Sequence, residues 1–189
     1  MDSYFEIKAI PDPELLQTAV IAQLMQHLHG LLPAYQGRVG LAFPGYGQAR
    51  SLGGILRLHG TADDLQRLHD EVGDLPIFSS YSLVTPLLAA PKSLVGHAAF
   101  QRLHVKGKSH YRRQLKRHKA NGTWSEELEQ AIAANYRKTV SCPYVSLKSY
   151  STGQPVFSLF VERKLKLEVQ SGDFNGYGLS KDGATVPLF

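Results

Sequence analysis

Cysteine is almost missing: Cys142 is the single one in 189 residues. No internal disulfide can form, and no cysteine-rich zinc site can be built. Long apolar runs are missing too, and none approaches the roughly 18 residues of a membrane span. The opening Met1-Asp2-Ser3-Tyr4-Phe5-Glu6 carries acids where a secretory leader carries bases, so no signal peptide is expected. A cytoplasmic, reduced setting is the expectation. The most telling absence is of acid. Residues 75–125 hold nine Lys or Arg and no Asp or Glu. Residues 1–74 hold five bases against nine acids, and residues 126–189 hold seven of each. The net +5 of the chain therefore originates in one central block. A block of one sign suits a polyanion, nucleic acid above all, better than a solvated face or an acidic protein partner.

What is present is ordinary globular material. A 43% hydrophobic chain of this length fills one domain or two small ones. Tyr4–Ile10 alternates like a half-buried strand and stops at Pro11-Asp12-Pro13. From Glu14 to Leu32, apolar residues recur at helical spacing, with Gly30 as a stop signal. Arg38–Phe43 and Gly54–Gly60 read as strands, Ala62-Asp63-Asp64 opens a helix, and Tyr81–Leu87 supplies a fourth strand. This β-α-β-β-α-β order predicts an α+β protein whose residues 1–95 form a ferredoxin-like domain. The third strand has no aromatic residue to stack a base, so it is not an RRM-type RNA reader. Residues 96–189 read as a second α+β region: a strand over Phe100–Val105, a basic helix over about 109–119, and a helix over Glu126–Tyr136. Thr123 or Ser125 caps the second of these helices. Strands at Tyr144–Ser149, Val156–Glu162 and Lys164–Val169 follow, before a glycine-rich tail over Gly172–Gly183.

The basic helix carries the strongest physical signal. At 100° per residue, Arg112, Arg113, Lys116, Arg117 and Lys119 spread over one broad face, while Tyr111 and Leu115 sit opposite. Such a helix docks by its two apolar residues and offers its bases, with Lys108 just upstream, to phosphates. Two apolar residues are too small a face for a membrane surface. Elsewhere, His29 lies at the margin of the first helix's apolar stripe, where it can face a cleft. The plainer reading is a helix-terminal histidine balancing the dipole. His27 lies about 200° away, so the two do not pair on a metal. Ser149 and Ser151 alternate along an extended segment and address one side; local backbone bonds are the plainer reading. The eight histidines show no ligand spacing and no acid cluster lies near the basic block, so neither metal nor cofactor is expected. No helix pattern follows Gly176-Tyr-Gly178, so it is not a dinucleotide fingerprint.

Met1-Asp2-x-Tyr4, Leu28-His29, the arginine-rich helix, Ser149-Tyr-Ser-Thr-Gly-Gln154 and Tyr177-Gly-Leu-Ser-Lys181 stand in order along the chain. Together, over essentially its whole length, they resemble the CRISPR-associated endoribonucleases of type I-F systems (Ypest subtype), which process crRNA. The resemblance implies metal-independent cleavage of a CRISPR repeat stem-loop at the 3′ base of the stem. A 2′-hydroxyl attacks its own phosphate, leaving a 2′,3′-cyclic phosphate and a 5′-hydroxyl. It implies His29 as base, Ser149 on the attacking hydroxyl, Ser151 as a supporting contact, and Tyr177 orienting the histidine. Arg102 and His104 fall where the family reads bases at the foot of the stem, His104 standing in place of a glutamine. Phe157 falls where a ring stacks the base beside the cut. The partners implied are the repeat hairpin, retained as product, and other subunits of a type I-F crRNA-guided complex. A non-catalytic hairpin-binding subunit of the same fold is the alternative.

Overall fold

The computed structural model describes residues 1–105, 108–148 and 156–189, with only the backbone described for 108–109 and 138–140. Two antiparallel sheets organise the chain as an α+β protein. The first contains β1 (Ser3–Ala9), β2 (Gly40–Ala42), β3 (Ile55–Gly60), β4 (Ser82–Val84) and β5 (Leu88–Ala89). Its strands lie in the order β2-β3-β1-β4, with β5 also against β1. Helices α1 (Gln17–Leu31), α2 (Ala62–Gly73) and the short α3 (Pro76–Tyr81) complete this half. The second sheet runs β7-β8-β6-β9, from β6 (Gly96–Leu103), β7 (Tyr144–Leu147), β8 (Phe157–Lys166) and β9 (Val186–Leu188). Helices α4 (Lys108–Ala120) and α5 (Glu126–Val140) pack on each other between β6 and β7 in sequence.

Local chemistry explains the boundaries. The Asp12 carboxylate accepts the amides of Glu14 and Leu15, at 2.7 and 2.9 Å. That turn delays α1 to Gln17, three residues later than the periodicity predicts. Gly30 does not stop the helix; it ends one residue later and passes into a 3₁₀ turn over Leu32–Tyr35, which carries Pro33 in its first turn. Thr61 caps α2, accepting the Asp64 amide at 3.3 Å. Ser125, not Thr123, caps α5 through the Leu128 amide at 3.2 Å. The two strands expected over 156–169 are one: Arg163 pairs with Phe100 in an unbroken β6–β8 ladder. The strand expected over Phe100–Val105 begins at Gly96. The region past Gly183 closes the sheet as β9, paired with Gly96–Ala98.

The buried side chains form one contiguous cluster reaching from Phe5 to Val186. Phe43 meets Phe100 edge-on at 5.2 Å, and the Tyr46 hydroxyl donates to the Val161 carbonyl at 2.9 Å. These contacts seat the loop after β2 against the second sheet. On α1, Val20, Ile21, Leu24, Met25 and Leu28 are buried, and that orientation sets where His29 points.

One buried residue sits at odds with its surroundings. His59 on β3 is fully enclosed, and among the described residues neither ring nitrogen has a hydrogen-bond partner. Burial, reinforced by the Arg57 charge, pushes its pKa down to about 3. The folded protein keeps this ring neutral to that value, whereas an unfolded chain takes up the proton near 6.5. Stability is thus complete above about pH 6.5 and falls as the pH drops below it. His59→Leu should remove that dependence. Urea midpoints should rise more at pH 5 than at pH 8; an equal change at both would assign the effect to packing alone.

Candidate active site and nucleic-acid interface

The last turn of α1 brings His29 against a tight turn near the end of the chain. His29 Nδ1 lies 2.7 Å from the Gly176 carbonyl oxygen. A carbonyl only accepts, so Nδ1 carries the proton there. In the neutral ring this leaves Nε2 with its lone pair, the arrangement a general base requires. Tyr177 covers the imidazole face to face, with centroids 3.8 Å apart and planes 13° from parallel. Burial raises the Tyr177 phenol above its ordinary value, partly offset by the Arg102 charge. The phenol is therefore neutral at physiological pH.

The turn is built by a residue that pattern reading passed over. The Asn175 side-chain oxygen accepts the amides of Tyr177 and Leu179, at 2.8 and 3.2 Å. Its backbone completes the loop, with the Gly178 amide donating to the Asn175 carbonyl at 2.8 Å. The Asn175-Gly176 dipeptide, a standard turn signal, is the feature that could have exposed it. Gly178 has φ +71°, and a Cβ there would lie 2.8 Å from Leu41 Cβ. Its carbonyl accepts the Leu41 amide at 2.7 Å, tying the turn to β2. Gly178→Ala should therefore cost more than the roughly 1 kcal/mol of a left-handed alanine alone. A thermal melt checks this, and an unchanged midpoint would show that the turn relaxes freely.

Arg102 and His104 are both exposed, two residues apart, at the end of β6 and just beyond it. The Arg102 guanidinium lies 5.5 Å from the centre of the Phe157 ring and near enough to Tyr177 to act on its phenol. The structure thus gathers His29, Tyr177, Arg102 and Phe157 around one edge. His104 faces α4 and α5 across a cleft that His110, Tyr111 and Tyr136 also line. Ser149 and Ser151 lie outside the described residues. The chain reaches them from Lys148, whose amide donates to the Gln26 side chain on α1 at 2.9 Å. Gln26 is a second residue that periodicity did not single out.

The basic helix turns its charges outward. Arg112, Arg113, Lys116, Arg117 and Lys119 are exposed, while Tyr111, Gln114 and Leu115 are half-buried. Tyr111 packs on Tyr136 of α5 at 5.7 Å, and Lys119 lies 5.0 Å from the centre of the Trp124 ring. Lys108 opens the helix; its side chain lies outside the described atoms. Among the described residues, no group of three or more His, Cys, Asp or Glu is placed to hold a metal ion. Nor is any described helix long and apolar enough to cross a membrane.

Comparison with known proteins places this arrangement in a class. A curated protein of Escherichia coli (strain UTI89 / UPEC), called CRISPR-associated endonuclease Cas6/Csy4, is 34% identical over 192 residues, covering both chains completely. One of the same name from Pseudomonas aeruginosa (strain UCBPP-PA14) is 35% identical over 206 residues, again covering both completely. The family profile described as CRISPR-associated protein (Cas_Csy4) matches residues 4–189. The chain belongs to the Csy4 family of CRISPR-associated proteins.

Proposed function

We propose that this protein is an endoribonuclease that cleaves the stem-loop of CRISPR repeat RNA. It cuts at the 3′ base of the stem and remains on the product hairpin. The observation that carries the reading is the His29 ring, held by a carbonyl on Nδ1 and by a stacked phenol, with Nε2 left as a base. In the proposed step, Nε2 takes the proton of the 2′-hydroxyl at the cleaved linkage. The 2′ oxygen forms its bond to phosphorus as the bond from phosphorus to the 5′ oxygen breaks. That oxygen leaves with a proton from water, giving a 2′,3′-cyclic phosphate and a 5′-hydroxyl. Ser149 is assigned to hold the 2′-hydroxyl in line, and Ser151 to support it. Arg102 is assigned a guanine edge at the foot of the stem, which its fork suits, and His104 a neighbouring base. Phe157 stacks the last base before the cut, and the exposed bases of α4 take the phosphates of the stem. None of these steps uses a metal, and the site is assigned to the cytoplasm, in a complex with the other subunits of a type I-F system.

Incubation with a radiolabelled repeat hairpin in EDTA tests this reading. The expected result is one cut at the 3′ base of the stem, with a cyclic phosphate on the stem fragment. Tight binding without a cut would make the protein a hairpin-binding subunit with a structural His29. Cleavage only on adding a divalent cation would overturn the mechanism.

A further inference from the structure

We propose that the groove between α1 and β7 is a track for single-stranded RNA, and that it takes the segment 3′ of the cleaved bond. This rests on the function proposed above and adds a binding site to it. The groove encloses about 810 Å³ and contains no Asp or Glu in its lining. Arg50 and Lys148 supply positive charge, and the Gln26 side chain lies along the α1 wall. Along β7 and the residue just past it, Tyr144, Ser146 and Lys148 are exposed at alternate positions while Val145 and Leu147 are buried, so ring, hydroxyl and ammonium form one row. Tyr144 is 48% exposed, and its ring is braced by Phe160 at 5.0 Å. A cationic groove with a fixed, open aromatic ring is the composition that holds single strands without reading their sequence.

Further observations point to RNA leaving the cut. Ala22, Gln26 and His29 lie four and three residues apart on one face of α1, so the groove ends within a helical turn of His29. At that end the Gln26 side chain accepts the amide of Lys148, the residue before Ser149 in sequence. Neither α4 nor β6, to which the stem is assigned, lines the groove. A strand that passes His29 away from the stem therefore meets this groove next. The rim is also held in an unusual backbone: Ala49 and Arg50 are adjacent non-glycine residues with φ of +48° and +59°. The Gly47 amide bond to the Ser51 carbonyl, at 2.9 Å, closes this turn and holds Arg50 against the opening. Strain of this kind gathers at ligand clamps.

Hairpins carrying a 2′-deoxy nucleotide before the cut, and so resistant to cleavage, test the proposal by titration at low salt. One ends just past the cut, one carries eight further nucleotides on the 3′ side, and one carries eight on the 5′ side. The 3′ extension should tighten binding about five- to fiftyfold, the scale of one or two stacked bases and a phosphate contact. Arg50→Asn keeps a residue that tolerates the left-handed backbone while removing the charge. It should abolish most of that gain and leave the short hairpin within about twofold. A gain from the 5′ extension alone, no gain from either, or equal weakening of all three RNAs by Arg50→Asn would overturn the proposal. If no hairpin bound at all, the proposed function would fall first, and the groove assignment with it.

Discussion

His29→Ala should slow repeat cleavage by about 10²–10⁴-fold in single turnover, the usual contribution of a positioned base. Repeat affinity should stay within a few-fold of the unaltered protein. A base acts on the proton as it leaves the 2′ oxygen and contributes little to the bound ground state. The geometry refines the expectation. Tyr177→Phe keeps the ring stacked at 3.8 Å and should lose little, since the phenol is neutral and the face is what holds the imidazole. Tyr177→Ala removes that face and frees His29 to rotate about its hydrogen bond to Gly176, so its loss should approach that of His29→Ala. Full activity in His29→Ala would remove this residue from the chemistry.

The second large effect belongs to α4. Arg112→Ala/Lys116→Ala/Arg117→Ala removes three exposed charges from one face without touching the half-buried Leu115 or Tyr111, which packs on Tyr136. Each lost phosphate contact should lower the slope of log K against log salt by about 0.7–0.9, so the triple variant should lose about two to three units. At saturating RNA it should cleave at nearly the normal rate, because none of the three residues lies in the His29 cluster. Unchanged affinity and slope would mean that the stem is held elsewhere. A collapse of the rate at saturation would mean that the helix also places the cleaved phosphate.

Sequence periodicity exposed the long elements and the outward face of α4 because those depend on spacing alone. Leu24 and Leu28 set the roll of α1, and with it the margin on which His29 sits. Short elements escaped for the converse reason. The strand Val186–Leu188 has too few residues to show alternation, and Pro76–Tyr81 is a single turn and a half. Arg163 interrupted the apparent pattern of β8, although backbone pairing with Phe100 ignores side-chain character. At the site, the Leu28-His29 pair and the glycines around Tyr177 could be read, and the family resemblance put Tyr177 on the histidine. The bond from His29 to Gly176 could not be read, because a backbone carbonyl has no side chain to announce it. Gln26 was equally silent: its partner is the backbone amide of Lys148, which any residue there would supply.

The bond between His29 and Gly176 joins residues 147 positions apart in sequence. Closing a loop of that size is entropically slow, and no local fragment can hold the contact by itself. α1 alone would carry a histidine with both nitrogens in water, and the 174–180 turn alone would carry an unstacked tyrosine. Catalytic competence should therefore return only in the last kinetic phase of refolding, after helical signal has recovered. A burst of helix without activity, followed by both fluorescence and cleavage in a single slower exponential, is the time course this connection dictates.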